Sequence, residues 1–309
     1  MTSSLVTGGA GFIGSHIVQR LVERGDRVRV LDNFSTGKWE NLASMKDDIE
    51  VIEGDLRDAR RVAQAVQDID LVFHQAALVS VPLSMEDPQT CFDVNVQGTL
   101  NVLEAAAKAG AERVVLASSC AVYGDSADYP LEETGQTMSL SPYAASKRIK
   151  EIYADLFTRT TQMGVTALRY FNIYGPRQSP DSDYAAAIPI FIRLLLKGEV
   201  VTIYGDGLQS RDFVFVDDVV RANFMASESP EAVGRVFNVC TGGEITILDL
   251  VETLRKILPG APEAIFAPPR PGDIFRSLGD PTLAGQRLGF EAQTGLLDGL
   301  KLTVDWMRK

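Results

Sequence analysis

Thr7-Gly8-Gly9-Ala10-Gly11-Phe12-Ile13-Gly14 joins a short apolar strand, Ser3-Ser4-Leu5-Val6-Thr7, to a helix carrying Ile17, Val18, Leu21 and Val22 on one side. The glycines at 8, 11 and 14 are spaced G-x-x-G-x-x-G, not the G-x-G-x-x-G of the standard dinucleotide fingerprint. The physics carries over. Glycines let the backbone turn tightly and approach a pyrophosphate, whose charge then rests at a helix N-terminus. Such a turn on its own is also a plain strand-to-helix connection. The second strand, Val28-Arg29-Val30-Leu31, supplies the context: it ends at Asp32, 18 residues after Gly14. A carboxylate there accepts hydrogen bonds from the adenosine ribose hydroxyls and repels a 2′-phosphate, which favours NAD over NADP. Asp55, ending a third strand, suits an adenine edge, although an acidic strand end is more often a solvated turn.

Outward from this stretch, strand and helix patterns alternate. Apolar runs follow at Val51-Ile52-Glu53-Gly54-Asp55, Leu71-Val72-Phe73-His74 and Val114-Val115-Leu116-Ala117, with a helix expected over 87–108 between the last two. Strand, crossover helix, strand at this rhythm predicts an α/β chain with a doubly wound parallel sheet. The second half loses the alternation and gains loops such as Pro268-Pro269-Arg270-Pro271-Gly272. We expect a nucleotide-binding domain over 1–169 and a smaller α/β substrate domain over 170–309, with the chain recrossing near 213–240.

Composition narrows the function classes. At 309 residues, 45% hydrophobic and 23% charged, the chain has room for a large packed core and reads as a soluble globular protein. A net charge of −11 argues against a nucleic-acid surface, which rests on clustered Lys and Arg, but leaves room for small anions in a local pocket. Cys91, Cys120 and Cys240 are too few and too scattered for a disulfide framework or a zinc site, so no metal is expected. There is no cationic leader with an apolar core and no apolar run of membrane-spanning length, so no membrane association is expected and the cytoplasm is the expected location.

Tyr143 and Lys147, in Ser141-Pro142-Tyr143-Ala144-Ala145-Ser146-Lys147, carry the chemistry. One helical turn apart, phenol and ammonium project from the same face. A fixed positive charge stabilises the phenolate and lowers a pKa that starts at about 10, giving a base for an alcohol proton. The spacing alone arises on many solvated helices, so its weight comes from the nucleotide site. Ser118 and Ser119 follow the strand at 114–117, at the edge where open α/β sheets bind ligands. Ser141 suits an N-cap and Pro142 the first helical position. Ile149, Ile152, Tyr153 and Leu156 predict an apolar stripe that packs this helix.

Together, the stretch at 7–14, Asn95, Ser118-Ser119 and Tyr143-x-x-x-Lys147 resemble the extended short-chain dehydrogenase/reductase superfamily, in its nucleotide-sugar epimerase and dehydratase branch. The resemblance runs almost end to end. It continues through Arg169-Tyr170-Phe171-Asn172-Ile173-Tyr174-Gly175-Pro176-Arg177, Tyr204-Gly205-Asp206-Gly207, Ser210-Arg211-Asp212-Phe213-Val214 with Val216-Asp217-Asp218, and Arg270-Pro271-Gly272-Asp273. It implies a Rossmann domain holding NAD through Gly8, Gly11, Phe12, Ile13, Gly14, Asp32, Asn33, Ser35, Gly37, Asp55, Leu56, Gln75, Ala76, Ala77, Asn95, Ser118, Tyr143, Lys147, Tyr170, Asn172 and Ile173. By the same resemblance Tyr143 is the base, Lys147 bonds the nicotinamide ribose and depresses the phenol pKa, and Ser119 relays the proton of the sugar 4-hydroxyl. Asn172, Arg211 and Arg270 would hold the diphosphate of a UDP-sugar and Asp273 its ribose, and Arg offers the bidentate geometry a diphosphate needs. Ser80, Cys120, Ile188, Tyr204 and Ser277 would complete the substrate pocket. A homodimer built on the helices near 90–108 and 143–160 is also implied, although apolar stripes there are equally explained by packing on the sheet.

The branch shares one opening step, in which hydride leaves C4 of the sugar for NAD while the tyrosine takes the hydroxyl proton. A dehydratase or decarboxylase of this resemblance carries a carboxyl residue just after the catalytic Ser, where this chain has Cys120-Ala121. Elimination therefore lacks its acid, whereas C4 epimerisation needs nothing more. The stretches 74–82 and 177–180, followed by Tyr184-Ala185-Ala186-Ala187-Ile188-Pro189, look most like bacterial UDP-N-acetylglucosamine 4-epimerases. Ser277 stands at a gate position where a small residue leaves room for an acetamido group. Val79 in place of glycine and Cys120 in place of serine count against that group. A UDP-glucuronate 4-epimerase, a dehydratase or decarboxylase, and a silent NAD-binding scaffold are the other readings. Intact Ser119, Tyr143 and Lys147 disfavour the last.

Overall fold

Apolar runs of four to seven residues pair into a seven-stranded sheet whose ladders are all parallel. A computed structural model describes residues 2–181, 186–269 and 274–309. Arg270 and Asp273, and the Tyr184-Ala185 stretch, lie outside the described residues. The first half runs β1 (Ser3–Thr7), α1 (Phe12–Glu23), β2 (Arg27–Asp32), β3 (Ile49–Glu53), α2 (Ala59–Ala65), β4 (Leu71–His74), α3 (Val81–Glu86), α4 (Pro88–Phe92), α5 (Gly98–Ala109), β5 (Arg113–Ser119), α6 (Pro142–Thr160) and β6 (Gly164–Tyr170). The second half runs β7 (Asn172–Tyr174), α7 (Ala187–Leu196), β8 (Thr202–Tyr204), β9 (Ser210–Arg211), β10 (Phe213–Phe215), α8 (Val216–Glu228), β11 (Val236–Val239), β12 (Ile245–Thr246), α9 (Ile247–Ile257), β13 (Ile265–Ala267), β14 (Arg276–Ser277), α10 (Thr282–Leu288) and α11 (Leu296–Met307).

Strand order β11-β6-β5-β4-β1-β2-β3 is the doubly wound order predicted from the alternation. The strands are buried on both faces because helices cover both, which explains their continuous Val/Leu/Ile character. Side chains alternate between the two covers. Val6, Val28, Val30, Phe73, Val115 and Leu168 face α1 and α8, while Leu5, Leu31, Val72, Val114 and Val165 face α2, α5 and α6. A third cluster, including Tyr174, Phe191, Ile203, Leu250, Leu254 and Val304, forms the core of the second half. After β10 pairs with β7, α8 packs on α1 and β11 adds to the β6 edge of the large sheet.

Three local expectations change. The helix expected over 87–108 begins as α4, widens through a π turn at Asp93–Gln97 and continues as α5. That turn carries Asn95, whose side chain is fully engaged, and π turns accommodate such an extra residue. Ser118 and Ser119 are the last residues of β5, not loop residues, because pairing with β6 continues to Ser119 opposite Tyr170. Finally, α6 packs with a different face from the one its apolar residues predict. Ile152 and Leu156 are 55% and 46% exposed, while Tyr143, Ser146, Lys147, Lys150, Glu151, Ala154 and Phe157 are buried. Ala154 and Phe157 give that face some apolar packing, and Lys147 and Glu151 bury against polar partners on the sheet. No helix among the described residues is long and apolar enough to cross a membrane.

Candidate active site

The switch point of the sheet lies at β1, between β2 on one side and β4 on the other. Register places Thr7 opposite both Leu31 and His74, so the glycine turn, Asp32 and Gln75-Ala76-Ala77 meet at one edge. Gly8 has φ +70, and a Cβ there would lie 2.8 Å from the Ala76 nitrogen. A Cβ at Gly14 would collide with the Gly8 carbonyl oxygen. The spacing thus serves a close strand–helix contact and a bare backbone floor. Helix α1 starts at Gly11 with no side-chain cap, which leaves its first N–H groups for an anion. Phe12 and Ile13 open that helix and pack toward the second-half core and the sheet, respectively.

Asp32 is 7% exposed and accepts hydrogen bonds only from backbone, from Ala10 N at 2.9 Å and Phe34 N at 2.8 Å. Burial pushes its carboxyl up despite those bonds. A Cβ on Gly37 would lie 2.9 Å from its Oδ1, so the chain closes tightly over it. These residues fit a dinucleotide: a desolvated carboxylate with lone pairs to spare suits ribose hydroxyls. Asn33 donates to Asp55 at 2.9 Å and accepts from Ser35 N at 3.1 Å. Arg57 holds Asp55 well below the usual carboxylate range by bonds at 2.9 and 2.8 Å, so that carboxylate is already partnered. Leu56 packs into the core and gives its carbonyl to Asn101.

Ser119 ends β5, where its hydroxyl accepts from Ala121 N at 3.2 Å and lies close enough to Tyr143 to draw the phenol pKa down. Ser141 caps α6 by accepting from Ala144 N, and Pro142 takes the first position, as their sequence predicts. Burial pushes the Tyr143 phenol up to about 12, against the pull of the Ser119 bond. Lys147 donates to the Ala117 carbonyl at 2.9 Å and lies 5.5 Å from the Tyr143 ring centroid. Burial draws its ammonium down to about 8. The expected lowering of the phenol by Lys147 is therefore corrected for this structure. Desolvation dominates both groups, and the ammonium sits over the ring without a hydrogen bond to its oxygen.

Other predicted cofactor residues act as braces. Ser118 gives its hydroxyl to Glu151 at 2.6 Å. Asn95 accepts from Leu78 N at 2.7 Å and donates to Leu78 O and to Ser146 Oγ, each at 3.0 Å. Tyr170 and Gln75 meet at 3.1 Å, and both bond Asn223 of α8. Asn223 was not anticipated from the sequence. Its signal is a polar residue interrupting the buried face Val219, Val220, Phe224 and Ala226. Ser84 was missed too: its Oγ accepts from Tyr143 N at 3.1 Å and sets the start of α6.

On the substrate side, Asn172 donates its backbone N–H and its side-chain amide to the Asp212 carbonyl, at 3.0 and 3.3 Å. Ile173 follows it in β7, which pairs with β10. Asp212, also not anticipated, bonds the loop at Thr241 and Gly242 through its carboxylate. Arg211 and Ser277 are register partners on β9 and β14. Ser277 draws the Cys120 thiol pKa down, but burial dominates and pushes it up to about 11. Tyr204 lines a cleft with Gln209, Ala267, Pro269, Ile274 and Phe275. Two predicted residues are not brought to this group. Ser80 caps α3 by accepting from Leu83 N, and Ile188 is buried in the second-half core.

Residues 4–240 match the model of the NAD dependent epimerase/dehydratase family. The chain is 40% identical over 309 residues to a UDP-glucose 4-epimerase of Mycolicibacterium smegmatis, covering 99% of this chain and 98% of that protein. Its structure is similar to Thermus thermophilus UDP-glucose 4-epimerase in complex with NAD, at 41% identity and a TM-score of 0.90, covering 99% of each chain. It is also similar to a UDP-N-acetylglucosamine 4-epimerase from Methanobrevibacter ruminantium, at 39% identity and a TM-score of 0.95, covering 99% of this chain and 98% of that one. The glycine turn, the Asp32 strand end and the paired Ser119 and Tyr143 are thus parts of a member of the NAD dependent epimerase/dehydratase family.

Proposed function

We propose that this protein is an NAD-dependent isomerase that inverts C4 of a UDP-hexose through a 4-keto sugar. The observation that carries the reading is the buried Tyr143 phenol under the influence of the Ser119 hydroxyl, on a β5 end that continues into Cys120-Ala121 with no carboxyl group. Bound NAD supplies the hydride acceptor and, on the return, the donor. Tyr143 takes the C4 hydroxyl proton through its contact with Ser119 and returns it after the keto sugar presents its other face. Lys147 orients the nicotinamide ribose. Cys120, protonated at neutral pH, offers no acid–base group for elimination, which disfavours dehydration and decarboxylation.

Residues 1–169 with the returning α8 and β11 form the cofactor part of this reading, and the rest of 170–309 the substrate part. Arg211, with Asn172 beside it and Arg270 and Asp273 assigned from the sequence, anchors the UDP moiety. The small Ser277 leaves room for an acetamido group, although Cys120 offers that group no hydroxyl, so the pocket of this reading is permissive and takes plain as well as N-acetylated sugars. Incubation with UDP-glucose, UDP-N-acetylglucosamine and UDP-glucuronate, followed by NMR of the products, tests this. The absence of a C4-inverted product from all three sinks the reading. Mass loss of water or carbon dioxide revives the elimination alternatives.

A cytoplasmic homodimer completes the proposal. Ile152 and Leu156 on α6, with Phe92 on α4 and Met85 on α3, present exposed apolar surface where the resemblance implies a helical interface. Three free cysteines suit a reducing compartment. Ile152→Glu should convert a dimer to a monomer in sedimentation equilibrium. A wild-type monomer overturns the assignment.

A further inference from the structure

The second buried ammonium of α6 has no part in the reaction derived above. Lys150 lies three residues beyond Lys147 on the packed face of the helix and is fully buried. Its Nζ lies 3.4 Å from His74 Nε2 and 3.5 Å from the Ala76 carbonyl. His74 is a poor acceptor in this direction. Thr99 gives its proton to the Asn95 carbonyl at 2.6 Å, so it accepts from His74 Nε2–H at 2.9 Å. The ring then takes the Thr7 hydroxyl proton on Nδ1 at 2.7 Å. An ammonium with three hydrogens to donate thus finds one distant carbonyl.

Nor does any carboxylate balance its charge among the described residues. Glu151, next in sequence, is committed to Arg169, Arg148 and Ser118. The titratable groups facing Lys150 are His74 from β4, Lys147 from its own helix and Cys91 from α4. His74 is kept neutral by burial and by the two lysines, and burial raises the Cys91 thiol. Two amines without a carboxylate partner among the described residues therefore sit together inside a chain whose net charge is −11. Charging Lys150 in this setting is costly unless an anion from outside the chain compensates it. The carbonyl nearest its Nζ belongs to Ala76, at 3.5 Å, and the backbone of that residue lies so close to Gly8 in the cofactor turn that a Cβ there would sit 2.8 Å from the Ala76 nitrogen.

We propose that Lys150 is the buried counter-charge to the dinucleotide diphosphate, so that cofactor binding draws one proton onto this amine. The inference rests on NAD occupying the Gly8–Gly14 cleft. No bond other than N–H forms, and the proton comes from solvent. In the cofactor-free protein, burial and then Lys147 hold the Lys150 ammonium well below the ordinary lysine range. A nearby anion favours the charged form. Between the free and the bound pKa, affinity falls by at most about tenfold per pH unit as pH rises, and it is flat on either side.

Calorimetric titration of nucleotide-free protein at mildly alkaline pH, in buffers of different ionisation enthalpy, counts the protons taken up. ADP-ribose, whose diphosphate does not titrate there, should give uptake, and adenosine none. Lys147→Met should retain the uptake with ADP-ribose. Lys150→Met should lose it and bind roughly tenfold more weakly at the pH where wild type is charged. Equal uptake by wild type and Lys150→Met overturns the proposal. So does binding of ADP-ribose by wild type and Lys147→Met without uptake, a comparison that stands even if Lys150→Met fails to fold. A wild-type protein that binds neither NAD nor ADP-ribose at any pH overturns the assignment of the cleft itself.

Discussion

At the scale of single residues, Tyr143 and Lys147 are both governed by desolvation. A phenol near 12 is a reluctant base in the cofactor-free protein, so its activation belongs to the assembled complex. Tyr143→Phe should fold, bind NAD and lose turnover by about 10²–10⁴-fold, checked by kcat beside an NAD titration. Full turnover would show that another group is the base. Lys147 carries a cost of the opposite kind. Its folded pKa lies near 8, below the ordinary lysine value of 10.5, so the unfolded chain binds more protons between those values. Stability of the cofactor-free protein therefore rises with pH across that window. Lys147→Met should be more stable than wild type at neutral pH, by up to on the order of 3 kcal/mol, with the gain vanishing above the upper end. Thermal melts across pH check the sign. The spacing of the two residues was legible in sequence, but their protonation was not, because burial is a property of the fold.

At the scale of elements, α6 shows how far periodicity can be trusted. Its N-cap and first proline follow from local chemistry and are found as predicted. Its packed face does not follow from hydrophobicity, because Glu151 and Lys147 bury against polar partners while Ile152 and Leu156 face outward. The buried pair of Glu151 with Arg169, bidentate at 2.8 Å, pins α6 to β6. Arg169→Met leaves that carboxylate uncompensated and should cost about 3–5 kcal/mol, measured by denaturant unfolding. A change within about 0.5 kcal/mol would mean that Glu151 is held by Ser118 and Arg148 alone. The π turn at Asn95 was equally hidden. An extra residue in a helical turn leaves the apolar pattern almost unchanged, and only the bonds of Asn95 to Leu78 and Ser146 reveal its use.

At the scale of the whole molecule, the chain leaves the large sheet after β6 and comes back through α8 and β11. That return covers the α1 face and the β6 edge and supplies Asn223 to the Gln75 and Tyr170 pair. A chain ending at residue 212 lacks both elements. It should expose the β6 ladder and fail to unfold cooperatively, as judged by circular dichroism melts and size exclusion. A cooperative, monodisperse product would show that the return is dispensable for folding.

Linear order was enough to predict the doubly wound sheet, and it pointed to the glycine turn and to the Tyr143 and Lys147 pair as candidates for the site. These rest on periods of apolar residues, on glycine sterics and on short spacings, all local properties. Which face of α6 is buried, that both of its lysines lack carboxylate partners, and that Asn223, Ser84 and Asp212 brace the site were settled only by folding. Each depends on desolvation and on partners dozens of residues away, and a carboxylate or ammonium acquires its cost, and so its use, only once water has been excluded around it.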